Sequence, residues 1–572
     1  MQKSDILNIF AVFAVCCTPA VAQQILQPPP EAPQTDGNGV DVQSLTPSYS
    51  KSVVSIGPKG VGGLDYSIMY TGNSARDNQY TINTGYIDSG GNPTTGVQIG
   101  SFSEFFSGVG YAGSLHDGAS VSWFSPQWYL TQKDGTVTAF THGVLFGPDG
   151  MGGTYDYNAA EVITHPDGHV INYYYYANRI QSITTNTGYQ LKFNYVSNTP
   201  GNPAFLAIAT VVAINNAVEY CDPNAITCSL SGSWQQAQFL TGFYGGGVVD
   251  ANGGTTYINL TGGGTTRHLY IQTPDHTSPN YDFTLTFQSN SSLPLVNTYV
   301  VTSATIDGKT TSYSLAAGSP LPQQIVTSSA PLSQQYSYTA DGYFGVTKEV
   351  DPLGRTTNFT YNNAPGQVAS ATPPEGNVTN ITYDPYAFGD VVQITQHPKA
   401  GSGSTPLTEN WTYSWTCYTS QATCNQPLTH TDPRGQVRSY TYDNTTGQVL
   451  TETDPADANG INPVKRYAYT VKYAYIKNAS GAYVAESVGI SLLTSEKTCR
   501  TTATVSGACA GGSSDEIETD YDYGPNSGPN NLLLRGKVVT ANGTSLRACY
   551  GYDNYGNKIS ETAPRAGLTS CP

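Results

Sequence analysis

Charge is scarce in this sequence. Only 12% of its 572 residues are Asp, Glu, Lys or Arg, and 41 acids against 25 bases leave a net charge of −16. That balance argues against a nucleic-acid backbone as partner, and against adhesion to anionic lipid, since either needs a basic surface. After residue 22 there is no apolar run long enough to span a bilayer as a helix. No two cysteines have the C-x2–4-C spacing of zinc ligands, so no metal is expected. G-x-S-x-G and H-E-x-x-H are both absent, and with them the common signatures of serine and zinc hydrolases. No catalytic residue and no cofactor is expected.

The chain instead has 42 Tyr, 60 Gly and 35 Pro, a composition far from that of a helical protein or a charged disordered one. Residues 1–22 read as a secretory signal: Lys3 precedes an apolar stretch at 6–17, and Ala20-Val21-Ala22 is an A-x-A cleavage site. Cleavage there starts the mature chain at Gln23, secreted or at the cell surface. Lipid attachment at Cys16 is the alternative. Residues 23–45, with Pro28-Pro29-Pro30, read as an extended linker. An N-terminal β domain is expected over 46–155, a β-rich region with degenerate repeats over 156–330, and clear repeats over 331–572.

Aligning the chain on glycine exposes the repeats. Gly135, Gly168, Gly308, Gly354, Gly376 and Gly435 are each followed two residues later by Val or Thr. Five residues later stands Phe140, Tyr173, Tyr313, Phe359, Ile381 or Tyr440. Such residues fit a pleated, half-buried sheet. Alternation puts Phe359 and Tyr361 on one face, Asn358 and Thr360 on the other. Asp351-Pro352-Leu353-Gly354 and Pro433-Arg434-Gly435 are turn chemistry. A second turn follows the strand, as in Tyr442-Asp443-Asn444-Thr445-Thr446-Gly447-Gln448-Val449. The unit is turn, strand, turn, strand, and Tyr338, Tyr361 and Tyr383 set its length at 22 to 23 residues. A period of this size marks a stacked β array. The fold class expected is all-β, with almost no helix after residue 45.

Tyr-Asp followed by Gly-x-Val, together with D-P-x-G, resembles the RHS or YD repeat of bacterial surface and toxin-delivery proteins and of animal teneurins. Tyr383-Asp384, Tyr442-Asp443, Tyr521-Asp522 and Tyr552-Asp553 hold YD positions, and Gly354, Tyr361 and Gly435 belong to the same motif. The resemblance is dense over 331–572 and scattered over 130–330. It implies a long antiparallel sheet that coils into part of a shell, acting as a non-catalytic scaffold in toxin delivery or contact between cells. It also implies a C-terminal continuation or a partner chain that completes the array. As the sequence stands, an unpaired strand edge is expected at its C-terminal end, with Tyr552, Tyr555 and Ile559 short of packing.

Eight cysteines follow the signal, in local pairs: Cys221/Cys228, Cys417/Cys424, Cys499/Cys509 and Cys549/Cys571. An even count in an exported chain favours disulfides. Pairing in sequence order is expected, with cross-pairing open. Trp411, Tyr413 and Trp415 alternate with Thr412, Ser414 and Thr416; they are either the packed face of a sheet or a platform for polysaccharide. His165-Pro166-Asp167-Gly168-His169 is the most metal-like cluster, but its Pro-Asp-Gly is the repeat turn. Asp36-Gly37-Asn38-Gly39 and Asp457-Ala458-Asn459-Gly460 lack the ligands of a full calcium loop and read as Asx turns. His116 and Asp117 are neighbours, and on a strand they would point to opposite faces.

Overall fold

The computed structural model describes residues 35–571 except 59–61, 72–73, 77–79, 88–92, 100–101, 107–117, 125–126, 147–153, 178, 241–245, 290–297, 318–323, 331–333, 342–344, 363–366, 386–388, 415–420, 459, 500–503 and 506–507. The signal, Cys16, His116-Asp117, Trp415 and Cys417 lie outside the described residues. The rest is nearly all β. Helix among the described residues amounts to Gln421–Cys424 and two 3-10 turns, Gly512–Ser514 and Pro564–Ala566.

One antiparallel ladder runs from strand Ser120–Phe124 to strand Lys558–Thr562, each strand pairing with the next along the chain. Two small hairpins, Tyr475–Lys477 with Tyr483–Ala485 and Thr504–Val505 with Ala508–Cys509, stand outside it. Strand Thr154–Thr164 also pairs with Tyr80–Ile87, at Asn158 and Ala159, and that strand carries Pro93–Ile99 and Phe102–Phe106. The ladder does not return on itself: Ser120–Phe124, Phe102–Phe106 and Lys558–Thr562 each pair on one side only among the described residues.

The hairpin turns explain the D-x-x-G spacing. The Asp351 N–H donates to the Arg355 carbonyl and the Gly354 N–H to the Asp351 carbonyl, both at 2.9 Å. The Asp351 carboxylate accepts the N–H groups of Leu353 and Arg355, both at 2.9 Å. Gly354 has φ 75°, the left-handed region that closes a three-residue hairpin loop and that glycine enters without steric cost. Asp432 and Asp553 repeat the arrangement.

One face of the sheet is apolar along its first half, and the N-terminal segment covers it. Val40, Val42 and Leu45 pack with Leu269, Phe283, Leu285 and Val301, and the Val301 N–H donates to the Leu45 carbonyl at 2.8 Å. Strands Ser48–Ile56 and Leu64–Thr71 lay Val53, Ile56, Tyr66 and Ile68 against Phe193, Val211 and Phe239. The expected linker is therefore corrected over 35–45. Val40, Val42 and Leu45 are apolar residues of a chain stretch that is otherwise polar, and an apolar sheet face is there to receive them.

Candidate functional site

Each clear repeat places a tyrosine at a β-bulge. Register shifts precede Tyr361, Tyr383, Tyr413, Tyr442, Tyr469, Tyr523 and Tyr552, whose partners across the bulge are Val368, Val391, Pro427, Val449, Leu493, Leu534 and Lys558. A bulge breaks the backbone ladder locally and leaves polar groups in need of another partner. The next tyrosine along the chain provides it. Tyr383 donates its hydroxyl to the Val368 carbonyl at 3.1 Å, Tyr413 to Val391 at 3.0 Å and Tyr442 to Pro427 at 2.6 Å. Tyr469 donates to Val449 at 2.9 Å, Tyr523 to Leu493 at 2.8 Å and Tyr552 to Leu534 at 2.8 Å. The residue opposite one tyrosine is thus the acceptor of the next, and the relay locks each unit to its predecessor. Burial raises the pKa of the Tyr383, Tyr413, Tyr442, Tyr469 and Tyr523 phenols, so they stay protonated donors.

The relay corrects three readings of the repeat. Tyr338 is not the counterpart of Tyr361. The bulge position before Tyr361 is Ala340, opposite Val346, and Val346 accepts the Tyr361 hydroxyl at 2.6 Å. Tyr521 lies two residues before the ladder residue Tyr523, and its hydroxyl meets Glu496 at 3.3 Å. The unit length is not constant, because ladder tyrosines fall at 361, 383, 413, 442, 469, 523 and 552. Two copies also stand in the first half: Tyr175 donates to the Ala160 carbonyl and Tyr195 to that of Ile180, each at a bulge.

After the tyrosine comes a loop, and its aspartate closes it. The Asp443 carboxylate accepts the N–H groups of Thr445 and Thr446 at 2.9 Å, and Asp384 accepts that of Asp390 at 2.9 Å. These loops meet the hairpin turns of the sheet's first half, so the second half forms a further pass beside the first. Lys133 in an early turn reaches Asp390 at 2.8 Å and the Gly389 carbonyl at 2.9 Å, while Asn425 donates to the Lys133 carbonyl at 2.7 Å. The Ser491 N–H donates to the Asp167 carbonyl at 2.8 Å, that of Lys477 to Asn216 at 2.9 Å and that of Gly57 to Tyr555 at 2.9 Å. A Cβ at Gly168 would sit 2.4 Å from the Gly489 carbonyl oxygen, whereas Gly354 and Gly435 have nothing within 4 Å. Burial pushes the Asp390 carboxyl up to about 6, with Lys133 opposing.

The C-terminal end is partly capped. Tyr555 packs edge-on against Trp234 at 5.5 Å and its hydroxyl donates to the Ser233 carbonyl. Tyr552 is held by the relay. The outer edge of Lys558–Thr562 pairs with no strand among the described residues, and Ile559 is 68% exposed. Disulfides join Cys221 to Cys228, Cys499 to Cys509 and Cys549 to Cys571, with Cα separations of 5.6, 5.4 and 5.4 Å. Cys424 is disulfide-bonded. Trp411 and Tyr413 are buried in a cluster with Val368, Ile381, Tyr383 and Val391, so they offer no free platform to a sugar. His169 pairs with Asp167 at 2.8 Å and His165 turns to Thr136 at 3.1 Å; the histidines do not converge. Asp457 closes a turn by accepting the Ile461 N–H at 2.9 Å. Among the described residues one group has metal-ligand proximity, Cys499, Cys509 and Asp515, and its two sulfurs are bonded to each other.

No curated protein matches the sequence. Among solved structures, the chain is similar to one in a TcdB2-TccC3-Cdc42 complex, with 11% identity and a TM-score of 0.31 over 89% of this chain and 26% of that one. It is also similar to a chain of the Photorhabdus luminescens Tc holotoxin pore in a mutant form, with 12% identity and a TM-score of 0.34 over 88% of this chain and 26% of that one. This chain thus spans about a quarter of the length of those chains. The RHS repeat model matches residues 425–458. That stretch holds strand Pro427–Thr431, the Asp432 turn, strand Val437–Tyr442, the Asp443 loop and strand Val449–Thr453. It spans one step of the relay, from the acceptor Pro427 to the donor Tyr442 and its partner Val449, so the segment that matches the RHS repeat is one unit of the tyrosine ladder.

Proposed function

We propose that this chain is an exported, non-catalytic scaffold, part of a β-shell of the type used in toxin delivery or in contact between cells. The observation that carries this reading is the continuous antiparallel ladder from Ser120 to Thr562, laid in two passes with a seam between them. A structure of this kind encloses or presents other molecules by shape, and its tyrosines are spent on holding the sheet. Its three described disulfides favour an oxidising compartment. The open edge of Lys558–Thr562 supports a continuation or partner chain that adds a further strand there.

The test is export of the full-length chain from a bacterial host. The exported protein should begin at Gln23, contain no free thiol at Cys221, Cys499 or Cys549, and show two stacked sheet passes by electron cryomicroscopy. A cytosolic, uncleaved, fully reduced protein would overturn the exported part, and separate unstacked sheets would overturn the scaffold.

A further inference from the structure

The loop between Cys221 and Cys228 lies on the sheet face that Gln190 and Lys192 share, opposite Leu191 and Phe193 in the core. Beneath it Lys192 is 1% exposed. We propose that this loop is a redox latch over Lys192, and that reduction of Cys221–Cys228 opens the amine to N-acylation by an activated acyl ester or thioester, a modification site beyond the scaffold role.

Donors on the sheet hold the loop by its carbonyls. The Gln181 side-chain amide donates to the Asn224 and Ala225 carbonyls, both at 2.6 Å. The Lys192 ammonium donates to the same Ala225 carbonyl and to the Ser182 hydroxyl, the latter at 3.2 Å. Gln190 donates to the Cys221 sulfur at 3.5 Å, and Asn216 to Gln190 at 2.9 Å. No carboxylate pairs with Lys192 among the described residues. Burial pushes its ammonium down to about 8, and Asp222 opposes this only from a distance. A buried ammonium with neutral partners alone keeps much of its desolvation cost. Opening of the loop returns water to the amine and relieves that cost. The disulfide, joining cysteines seven residues apart, opposes the opening.

The cover is one chain thick, since Asp222, Asn224, Ile226 and Thr227 are themselves exposed. Cys221 is buried, whereas Cys228 is partly exposed, so a dithiol reaches the Cys228 sulfur. One thiolate of the dithiol attacks that sulfur and Cys221 leaves as a thiolate. The second thiol then resolves the mixed disulfide, so the dithiol ends oxidised and both cysteines end as thiols. The freed Lys192 loses its proton to water and its lone pair attacks the acyl carbon. A C–N bond forms, the acyl bond to oxygen or sulfur breaks, and the leaving group departs as an anion. The acyl group takes the place that the Ala225 carbonyl held, and keeps the loop from closing again.

The test acetylates the full chain with sulfosuccinimidyl acetate and follows each lysine by peptide mass spectrometry. In the oxidised protein Lys192 should react at least about 10-fold more slowly than Lys465, whose side chain is 38% exposed, because it waits on a local opening. Dithiothreitol should bring Lys192 to within about 3-fold of Lys465 once the loop is free. Cys221→Ser/Cys228→Ser should do the same with no reductant, and Cys499→Ser/Cys509→Ser should leave Lys192 protected. Lys133, paired with Asp390 in the seam, reports unfolding and should react slowly throughout. Rapid acetylation of Lys192 in the oxidised chain, or its continued protection in the Cys221→Ser/Cys228→Ser variant, overturns the proposal. So does a rise at Lys133 alongside Lys192, which would make the opening a global unfolding.

Discussion

Between Leu269 and Val346 the face that bears the tyrosine relay is apolar and covered, with Phe283, Leu285 and Val301 under the N-terminal segment. Between Glu409 and Tyr550 the same face carries charge. Trp411 stacks on His430 at 4.8 Å, and His430 meets Glu409 at 2.8 Å. Arg438 reaches Asp454 at 2.7 Å and Glu452 at 3.3 Å, while Lys465 reaches Glu452 at 3.4 Å. Arg438 and Lys465 keep 42% and 38% of their side chains exposed. One backbone pattern thus supports two chemistries. Where a second layer lies on the sheet, an unpaired charge would be stranded, and the side chains packed there are apolar. Where water reaches it, charges pair with the neighbouring strand, the nearest partner a sheet offers.

The widest gap between the two stretches is expected from truncation. Phe283→Ala should cost about 3–5 kcal/mol, since Phe283 is fully buried beneath the N-terminal layer. Lys465→Ala should cost under about 1 kcal/mol, as a half-exposed ion pair does. Denaturant unfolding of both variants reads the difference; equal costs would mean that the covering layer is loose.

The turn glycines sharpen the contrast at the seam. Gly168→Ala adds a collision with the Gly489 carbonyl to the strain of a positive φ, and about 2–5 kcal/mol is expected. Gly354→Ala meets open space and should lose only the conformational part, about 1–2 kcal/mol. Amide exchange at Ser491, whose N–H crosses the seam, should accelerate in the first variant and not in the second.

Acid should act on the seam and on the free turns with opposite signs. The folded pKa of Asp390 is raised by burial to about 6, so the folded state holds a proton that the unfolded state has lost. Its contribution is most favourable below the unfolded value near 4 and is lost as pH rises through 6, on the order of 2–3 kcal/mol. Asp432 in a free turn is lowered by the Gln436 N–H. Its contribution is present above the unfolded pKa and is lost as pH falls. Asp390→Asn should therefore gain stability relative to the native chain between pH 5 and pH 7.5, and Asp432→Asn should lose it above pH 4. Unfolding curves at these pH values decide both signs.

The smallest effect is expected in the relay. Tyr442→Phe removes a hydroxyl that satisfies the Pro427 carbonyl at 2.6 Å, for about 0.5–1.5 kcal/mol. Tyr440→Phe keeps the buried ring and spares the relay, so it should cost less. Equal losses in thermal unfolding would show that ring packing carries the unit and the hydroxyl does not.

The strands and hairpin turns were legible in the sequence because both are local. Two-residue alternation marks Thr356–Tyr361, and Asp-x-x-Gly marks its turn. The seam was not legible: Lys133 and Asp390, or Gly57 and Tyr555, lie too far apart for any period to connect them. Nor was the covering role of Val40, Val42 and Leu45, three apolar residues near a proline-rich stretch. Tyr413-Ser414 and Tyr469-Thr470 lack the aspartate, and Tyr521-Asp522 has it at the wrong tyrosine; only the bulge tells which residue donates.

The relay also bears on how such a chain can change over generations. Its bonds fix which carbonyl each tyrosine meets, but neither the separation of the two along the chain, 15 residues for Tyr383 and 30 for Tyr523, nor the number of residues between a tyrosine and its partner across the bulge. Tyr552 reaches Lys558 through a short turn, whereas a whole hairpin intervenes between Tyr469 and Leu493. Insertions at that point lengthen the gene without shifting the register of any strand. The long segment between Tyr469 and Leu493 and the short one between Tyr552 and Lys558 both touch the first pass, so a segment added at such a point enters the array already positioned to join one turn of it to another.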